Sequence, residues 1–360
     1  MKNTYFDLID QTFYFPQDGF DMEHGNLLFH GIPIHHLIKK YGTPFKITYL
    51  PSIGTQIKKA RNWFNRAIKS LNYQGKYYYC YCTKSAHYRF VLDEVLEHHS
   101  HLETSSAFDI DLIRRLESLG KIDKEKIIIN NGFKTEGYAQ KIADLINDGF
   151  QNVIPVCDNT EELDTFAGKI KGEAKIGIRI ATEEEPNFEF YTSRLGVRYS
   201  EVISFYKRKI ARRKKITLKM LHFFVDTGIK DTPYYWEELR KLLKAYCALK
   251  KICPTLKAIN IGGGLPIRNS LGFEFNYRQI IKDIVELIHK ECQAEGVEEP
   301  DIFTEFGSFT VGESGAVIFS VLGQKLQNDS EMWYIIDNSL MNTIPDSWGI
   351  AQRFVLLPIN

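Results

Sequence analysis

Three features of this chain, each closing an apolar segment, are the ones best placed to do chemistry together: a lysine, a glutamate and a run of three glycines. Gly262, Gly263 and Gly264 end the segment KAINIGGG and open a loop before a helical stretch. Glycines let backbone N–H groups come close to an anion and converge on it, although a plain flexible turn uses them equally well. Lys84 follows YYYCYC. A lysine amine, when neutral, bonds covalently to an aldehyde; a lone lysine at such a place also serves as a surface charge or ion-pair partner. Glu305, in IFTEFGS, offers a carboxylate that can hold a proton on a neighbouring heterocyclic nitrogen, or pair with an arginine for purely structural ends.

The elements that position these residues repeat. Strand patterns run in series as KYYYCYC, HLET, KIIIN, NVIPVC, AKIGIRIA, LKMLHFFVD, LKAINI and DIFTE, with helical segments such as HYRFVLDEVLEHH and YRQIIKDIVELIHKECQAEG between them. Before them PFKITYLP leads into an amphipathic helix over roughly 55–70, with Ile57, Ala60, Trp63, Phe64 and Ala67 at helical spacing. Eight strands alternating with helices predict an α/β protein built on a (β/α)8 barrel of the TIM type; a doubly wound open sheet is the alternative. Such barrels carry their working residues at the C-terminal strand ends, and the loops after the seventh and eighth strands are the usual phosphate site.

Read in that order, the strand ends are Lys84, Glu103, Asn131, Asp158, Arg179, the segment His222–Thr227, the glycine triplet on the seventh strand, and Glu305. An amine facing a phosphate cradle suits pyridoxal 5′-phosphate (PLP), which carries both an aldehyde and a phosphate. His222 and Phe224 lie two apart and face one side of the sixth strand, where a flat ring stacks on a cofactor or a histidine fills the core. Thr227 just beyond offers a hydroxyl to a phosphate. Arg179 points into or above the barrel if Ile178 and Ile180 pack outward.

The flanks differ. TFYF and NLLFHGIPI before residue 45, and GAVIFSVLGQKL and MWYIIDNSL after Glu305, read as strands without helical repeat. The expected organisation is residues 1–44 as the N-terminal part of a small all-β domain, 45–310 as the barrel, and 311–360 as the start of that domain's C-terminal part. The 46 basic and 45 acidic side chains give a net charge of +1, so no global field draws in nucleic acid or an anionic membrane. The basic run Lys207–Lys215 reads as a solvated face. No stretch approaches the roughly 18 apolar residues of a membrane helix, the N-terminus has no signal-peptide core, and six scattered cysteines lack metal-ligand spacing. Reduced thiols and a cytoplasmic location are the simplest expectation.

The segments NYQGKYYYCYCTKSAHYRFVLDEV, LETSSAFDI, IIINNGFKTEGY, TSRLGV, LKMLHFFVDTG, NIGGGL, TEFGS and IPDSWGIAQRFVLLPIN, in that order, resemble the biosynthetic arginine decarboxylases. These are PLP-dependent fold type III enzymes related to ornithine and diaminopimelate decarboxylases and to alanine racemase. The resemblance runs from about residue 30 onward. It implies that Lys84 holds PLP, that Gly262–Gly264 and Thr227 contact its phosphate, and that Glu305 faces the pyridine nitrogen. It also sets Glu103, Arg179, His222, Phe224 and Gly307 around the cofactor. The implied reaction is decarboxylation of L-arginine to agmatine, a step toward polyamines such as spermidine, by a homodimer with shared active sites. Mg²⁺ is left open, and no metal ligands are assigned.

Three departures accompany the resemblance. Phe224 stands where the family has a stacking histidine, and Ser308 replaces the arginine of its Glu-x-Gly-Arg motif. The family's cysteine–aspartate pair and late tyrosine are expected beyond Asn360. Two readings of different class follow: a decarboxylase of arginine, or of the ornithine or diaminopimelate type, and a non-catalytic barrel homologue that acts as a binding or regulatory protein.

Overall fold

The computed structural model describes residues 18–182, 193–269, 273–349 and 354–359. The TFYF run, Thr192 of TSRLGV and part of IPDSWGIAQRFVLLPIN lie outside them.

All eight expected strands form, and they close a parallel barrel. They are β1 (Tyr77–Cys82), β2 (His101–Thr104), β3 (Ile128–Asn130), β4 (Val153–Cys157), β5 (Ala174–Arg179), β6 (Ile216–His222), β7 (Ala258–Asn260) and β8 (Asp301–Glu305). Each pairs with its neighbours in sequence, and β8 returns to β1 through Ile302–Tyr77 to Glu305–Cys80. The predicted helix before β1 begins earlier than its periodicity suggests, at Leu50, and ends at Ser70. The helices that follow β2, β3, β6 and β7 begin on the side-chain caps Ser106, Thr135, Thr232 and Asn276. Each cap accepts a backbone N–H that the first helical turn cannot satisfy itself.

Two-residue periodicity builds the interior. Cys80, Ile129, Val156, Met220, Ala258 and Phe303 belong to one buried apolar cluster, one from each of six strands. Side chains alternate across a strand, so the next inward residue lies two positions on. Those residues are Cys82, Asn131, Asp158, His222, Asn260 and Glu305. An apolar layer thus supports a polar one at the C-terminal mouth, which Glu103 and Arg179 join. A register shift between Leu218 and Met220 adjusts β6 against β5.

The barrel belongs to a compact unit of Ile53–Pro266 and Asn276–Val311; a second unit holds Met1–Ser52, Ile267–Phe275 and Gly312–Asn360. The second unit contains a three-stranded antiparallel sheet (Phe20–Glu23, Asn26–Phe29, Ile32–Pro33) and a hairpin of Val321–Leu326 with Met332–Ile336. It corrects the boundary at residue 45: Phe45–Thr48 pairs antiparallel with Gly315–Ile318, so this run joins the two chain ends and lies outside the barrel. Met22, Leu27, Phe29, Ile34 and Ile318 form that unit's core. In the basic run, Lys209 and Arg213 both pair with Asp164. No helix among the described residues is long and apolar enough to cross a membrane.

Phe303 stacks on Tyr78 at 4.6 Å inside the barrel. Truncating a buried phenylalanine costs about 3–5 kcal/mol. Phe303→Ala is therefore expected to lower stability by about that amount in denaturant unfolding; a loss below about 1 kcal/mol would place the load elsewhere.

Candidate active site

The residues singled out at the strand ends converge on the mouth of the barrel. Glu305 closes β8 and is 6% exposed. Its Oε1 accepts from Asn260 Nδ2 at 2.5 Å, and its Oε2 accepts from Asn131 Nδ2 at 2.9 Å and His222 Nε2 at 3.2 Å. Burial pushes the carboxyl up, but the hydrogen bonds of His222, Asn131 and Asn260, joined by the charge of His222 when the imidazole is protonated, more than reverse this and hold it below the usual glutamate range. Burial also lowers His222, against the raising field of Glu305. At neutral pH the imidazole is uncharged and serves Glu305 as an Nε2–H donor, which leaves Nδ1 as a buried acceptor without a partner.

Glu103, on β2, is fully buried. Its Oε1 accepts from Ser105 Oγ at 2.7 Å and from Asn131 Nδ2 at 3.1 Å. Desolvation first, then the charge of Glu305, raises its carboxyl pKa. Lys84 follows β1 on a short turn of Thr83–Ser85 and is open to solvent. Desolvation pulls its ammonium down, yet the fields of Glu103, Cys82 and Glu305 outweigh it, and its pKa stands above the ordinary lysine value. Thr83 anchors this turn: its Oγ1 lies 3.0 Å from the Glu103 carbonyl oxygen and 3.1 Å from Asp109 Oδ1, the partner of Ser106 in a helix capping box.

Arg179 ends β5, with its guanidinium carbon 5.8 Å from the centre of the Phe224 ring. Burial lowers its pKa, opposed by Asp158, Glu305 and Asp226. Thr227 lies half-buried on the loop after β6. That loop touches the glycine loop directly, since Ile229 N–H donates to the Gly264 carbonyl at 2.9 Å. A Cβ on Gly263 would sit 2.4 Å from the Glu305 carbonyl oxygen, so only glycine lets β7 and β8 meet there. A Cβ on Gly307 would stand 1.9 Å from Ser85 Oγ. Ser308 is exposed.

Every residue proposed for the site thus lies on the C-terminal loops or strand ends of the barrel. Asn260 was missed, and Asn131, though noticed at a strand end, was not assigned to the site. Both were findable, because each follows an inward apolar residue by two. Ser105 and Cys82 were also missed; Cys82 Sγ lies 3.0 Å from the Glu305 carbonyl.

The residues fit PLP. Glu103 Oε2, Asp158 Oδ1 and Arg179 Nε are buried polar atoms without hydrogen-bond partners, so this mouth is built for a polar occupant. It offers an amine in Lys84, a carboxylate held ionised in Glu305, and a wall stripped of side chains at the glycines.

The family model for the pyridoxal-binding domain of pyridoxal-dependent decarboxylases matches residues 55–312, and the chain belongs to that family. It is similar to the biosynthetic arginine decarboxylase of Prochlorococcus marinus (strain MIT 9215), 24% identical over 88% of this chain and 54% of that protein. The crystal structure of the biosynthetic arginine decarboxylase from Campylobacter jejuni has a TM-score of 0.71 and 22% identity, covering 87% of this chain and 54% of that one. Diaminopimelate decarboxylase from M. jannaschii has a TM-score of 0.78 and 18% identity, covering 94% and 77%. These structures share the fold. The chain spans about half the length of the curated relatives it matches.

The raised pKa of Glu103 has a consequence for stability. A carboxyl raised on folding stabilises the fold fully below the unfolded value of about 4.3 and loses that contribution as pH rises through its folded pKa. Glu103→Gln, which carries no charge at any pH, is expected to melt a few degrees above the cofactor-free wild type near neutral pH. The advantage should shrink on acidification toward the ordinary glutamate value. A melting difference independent of pH would mean that Glu103 is not shifted upward.

Proposed function

We propose that this chain is a PLP-dependent decarboxylase acting on basic amino acids, with L-arginine, giving agmatine and CO₂, as the substrate. The observation that carries the reading is Glu305, a buried carboxylate kept ionised by three donors at the mouth that also holds Lys84. When bound, PLP supplies an aldehyde that bonds reversibly to amines and a protonated ring that accepts the electron pair released when the bond to the carboxylate breaks. The products balance as CO₂ and an amine that has gained one proton at the carbon the carboxylate left.

Each residue has a defined task. Lys84 would hold the cofactor through Nζ, which must first lose its proton; the negative charge of Glu305 favours keeping that proton in the cofactor-free site. Glu305 would hold a proton on the ring nitrogen. Asn131, Asn260 and the neutral His222 keep Glu305 ionised and aimed. Phe224 offers a flat face beside Arg179. The glycine loop and Thr227 would receive the phosphate with backbone N–H groups and a hydroxyl, without a guanidinium at Ser308. The choice of arginine rests on the motifs IIINNGFKTEGY and IPDSWGIAQRFVLLPIN and on the curated relatives. A cytoplasmic homodimer that shares its active sites is part of the same reading.

Purified protein mixed with PLP is expected to develop a visible absorbance band that Lys84→Ala abolishes. An unchanged band in that variant removes Lys84 from the site. CO₂ release is then compared for arginine, ornithine, lysine and diaminopimelate, with arginine expected to lead. A band without CO₂ from any of the four favours the binding or regulatory reading, and preference for ornithine or diaminopimelate moves the protein to another branch.

Glu305→Gln removes the charge but keeps the shape. That charge would matter most in the transition state, so kcat is expected to fall by at least about tenfold with KM little changed. A rise in KM at constant kcat would instead make Glu305 a substrate-binding group.

A further inference from the structure

The carboxylates of Glu103 and Glu305 share a single amide. Asn131 is 6% exposed, and its Nδ2 lies 3.1 Å from Glu103 Oε1 and 2.9 Å from Glu305 Oε2. An amide nitrogen carries two N–H bonds, so one hydrogen is committed to each glutamate. Two acceptors on such a fork stand roughly 5 Å apart, too far for one carboxyl to donate to the other.

The surroundings of the two glutamates are unequal. Glu305 also accepts from His222 and Asn260. Glu103 accepts otherwise from Ser105 on the same Oε1 and, more weakly, from the Cys82 thiol, while its Oε2 is buried without a nitrogen or oxygen donor. Two carboxylates this close and this buried do not both ionise readily. We propose that Asn131 is a positioning residue that acts as a spacer, preventing the glutamates from sharing one proton and leaving that proton on Glu103 and the negative charge on Glu305.

The directions in which the two groups shift agree: burial and Glu305 raise Glu103, whereas the donors around Glu305 lower it despite its burial. The other ionisable groups facing the pair are Cys80 and Cys82 on β1, Lys84 after it, Tyr138 on the helix after β3, Asp158 after β4, Arg179 on β5, and His222 and Asp226 on β6 and its loop. Lys84 acts more on Glu103 than on Glu305 and so opposes this placement of the proton; the unequal donors and the charge of Glu305 outweigh it. The inference deepens the proposed function, because a ring nitrogen that must keep its proton needs an ionised partner. It rests on that reading for its purpose alone, as the tether belongs to the cofactor-free protein.

The test follows the side-chain carboxyl carbons of Glu103 and Glu305 by ¹³C NMR in cofactor-free protein, assigned through Glu103→Gln and Glu305→Gln. Between about pH 5 and 9, Glu305 is expected to stay flat while Glu103 titrates above the ordinary glutamate value. In Asn131→Leu the two signals should move together through one shared transition. Separate titrations that persist in Asn131→Leu overturn the proposal. So does wild-type protein whose two carboxyls titrate in step, a result that needs no variant to fold. Failure to bind PLP would sink the proposed function and leave these titrations untouched, so the two failures are distinguishable.

Discussion

The structure of the site depends on the burial of Glu305. A carboxylate withdrawn from water must be repaid in hydrogen bonds, and three strands supply them: Asn131 after β3, His222 on β6 and Asn260 on β7. These groups reach Glu305 because a parallel barrel aligns its strand ends in one ring. The ring in turn sits on a close-packed apolar layer that fixes its level. A smaller residue in that layer would lower the floor under the carboxylate, so packing and electrostatics here are one problem.

Much of this was legible in the sequence. The eight strands were readable because each is a short apolar run between turn residues and helical repeats, and the strand ends named most of the residues that meet at the barrel mouth. Boundaries were less legible. Phe45–Thr48 has the same apolar look as a barrel strand, and only its pairing with Gly315–Ile318, about 270 positions away in sequence, assigns it to the other unit. Asn260 escaped for a related reason. An asparagine in a run of apolar residues carries no sign of which carboxylate it will meet, and the partner lies 45 residues on.

The loops beside the glycines add a second kind of order. The loop after β6 and the loop after β7 touch through the backbone at Ile229 and Gly264, while Gly263 lies against the Glu305 carbonyl. The wall that would receive a phosphate is therefore made of main chain, rigid and uncharged, and set by strand geometry. That differs from a grip by a long cationic side chain, whose reach compensates for small displacements. Here selectivity for an anion depends on N–H direction, which strand movement alters at once.

The six cysteines, all buried, carry a consequence of another kind. Cys80, Cys82 and Cys157 belong to barrel strands, Cys247 and Cys292 to the long helices that follow β6 and β7, and Cys253 to the turn before β7. Burial raises the thiols of Cys80, Cys82 and Cys157, so they are poor nucleophiles as well as inaccessible ones. Alkylating reagents then meet these sulfurs mainly when the barrel opens, which turns three ordinary core side chains into a built-in clock for its breathing.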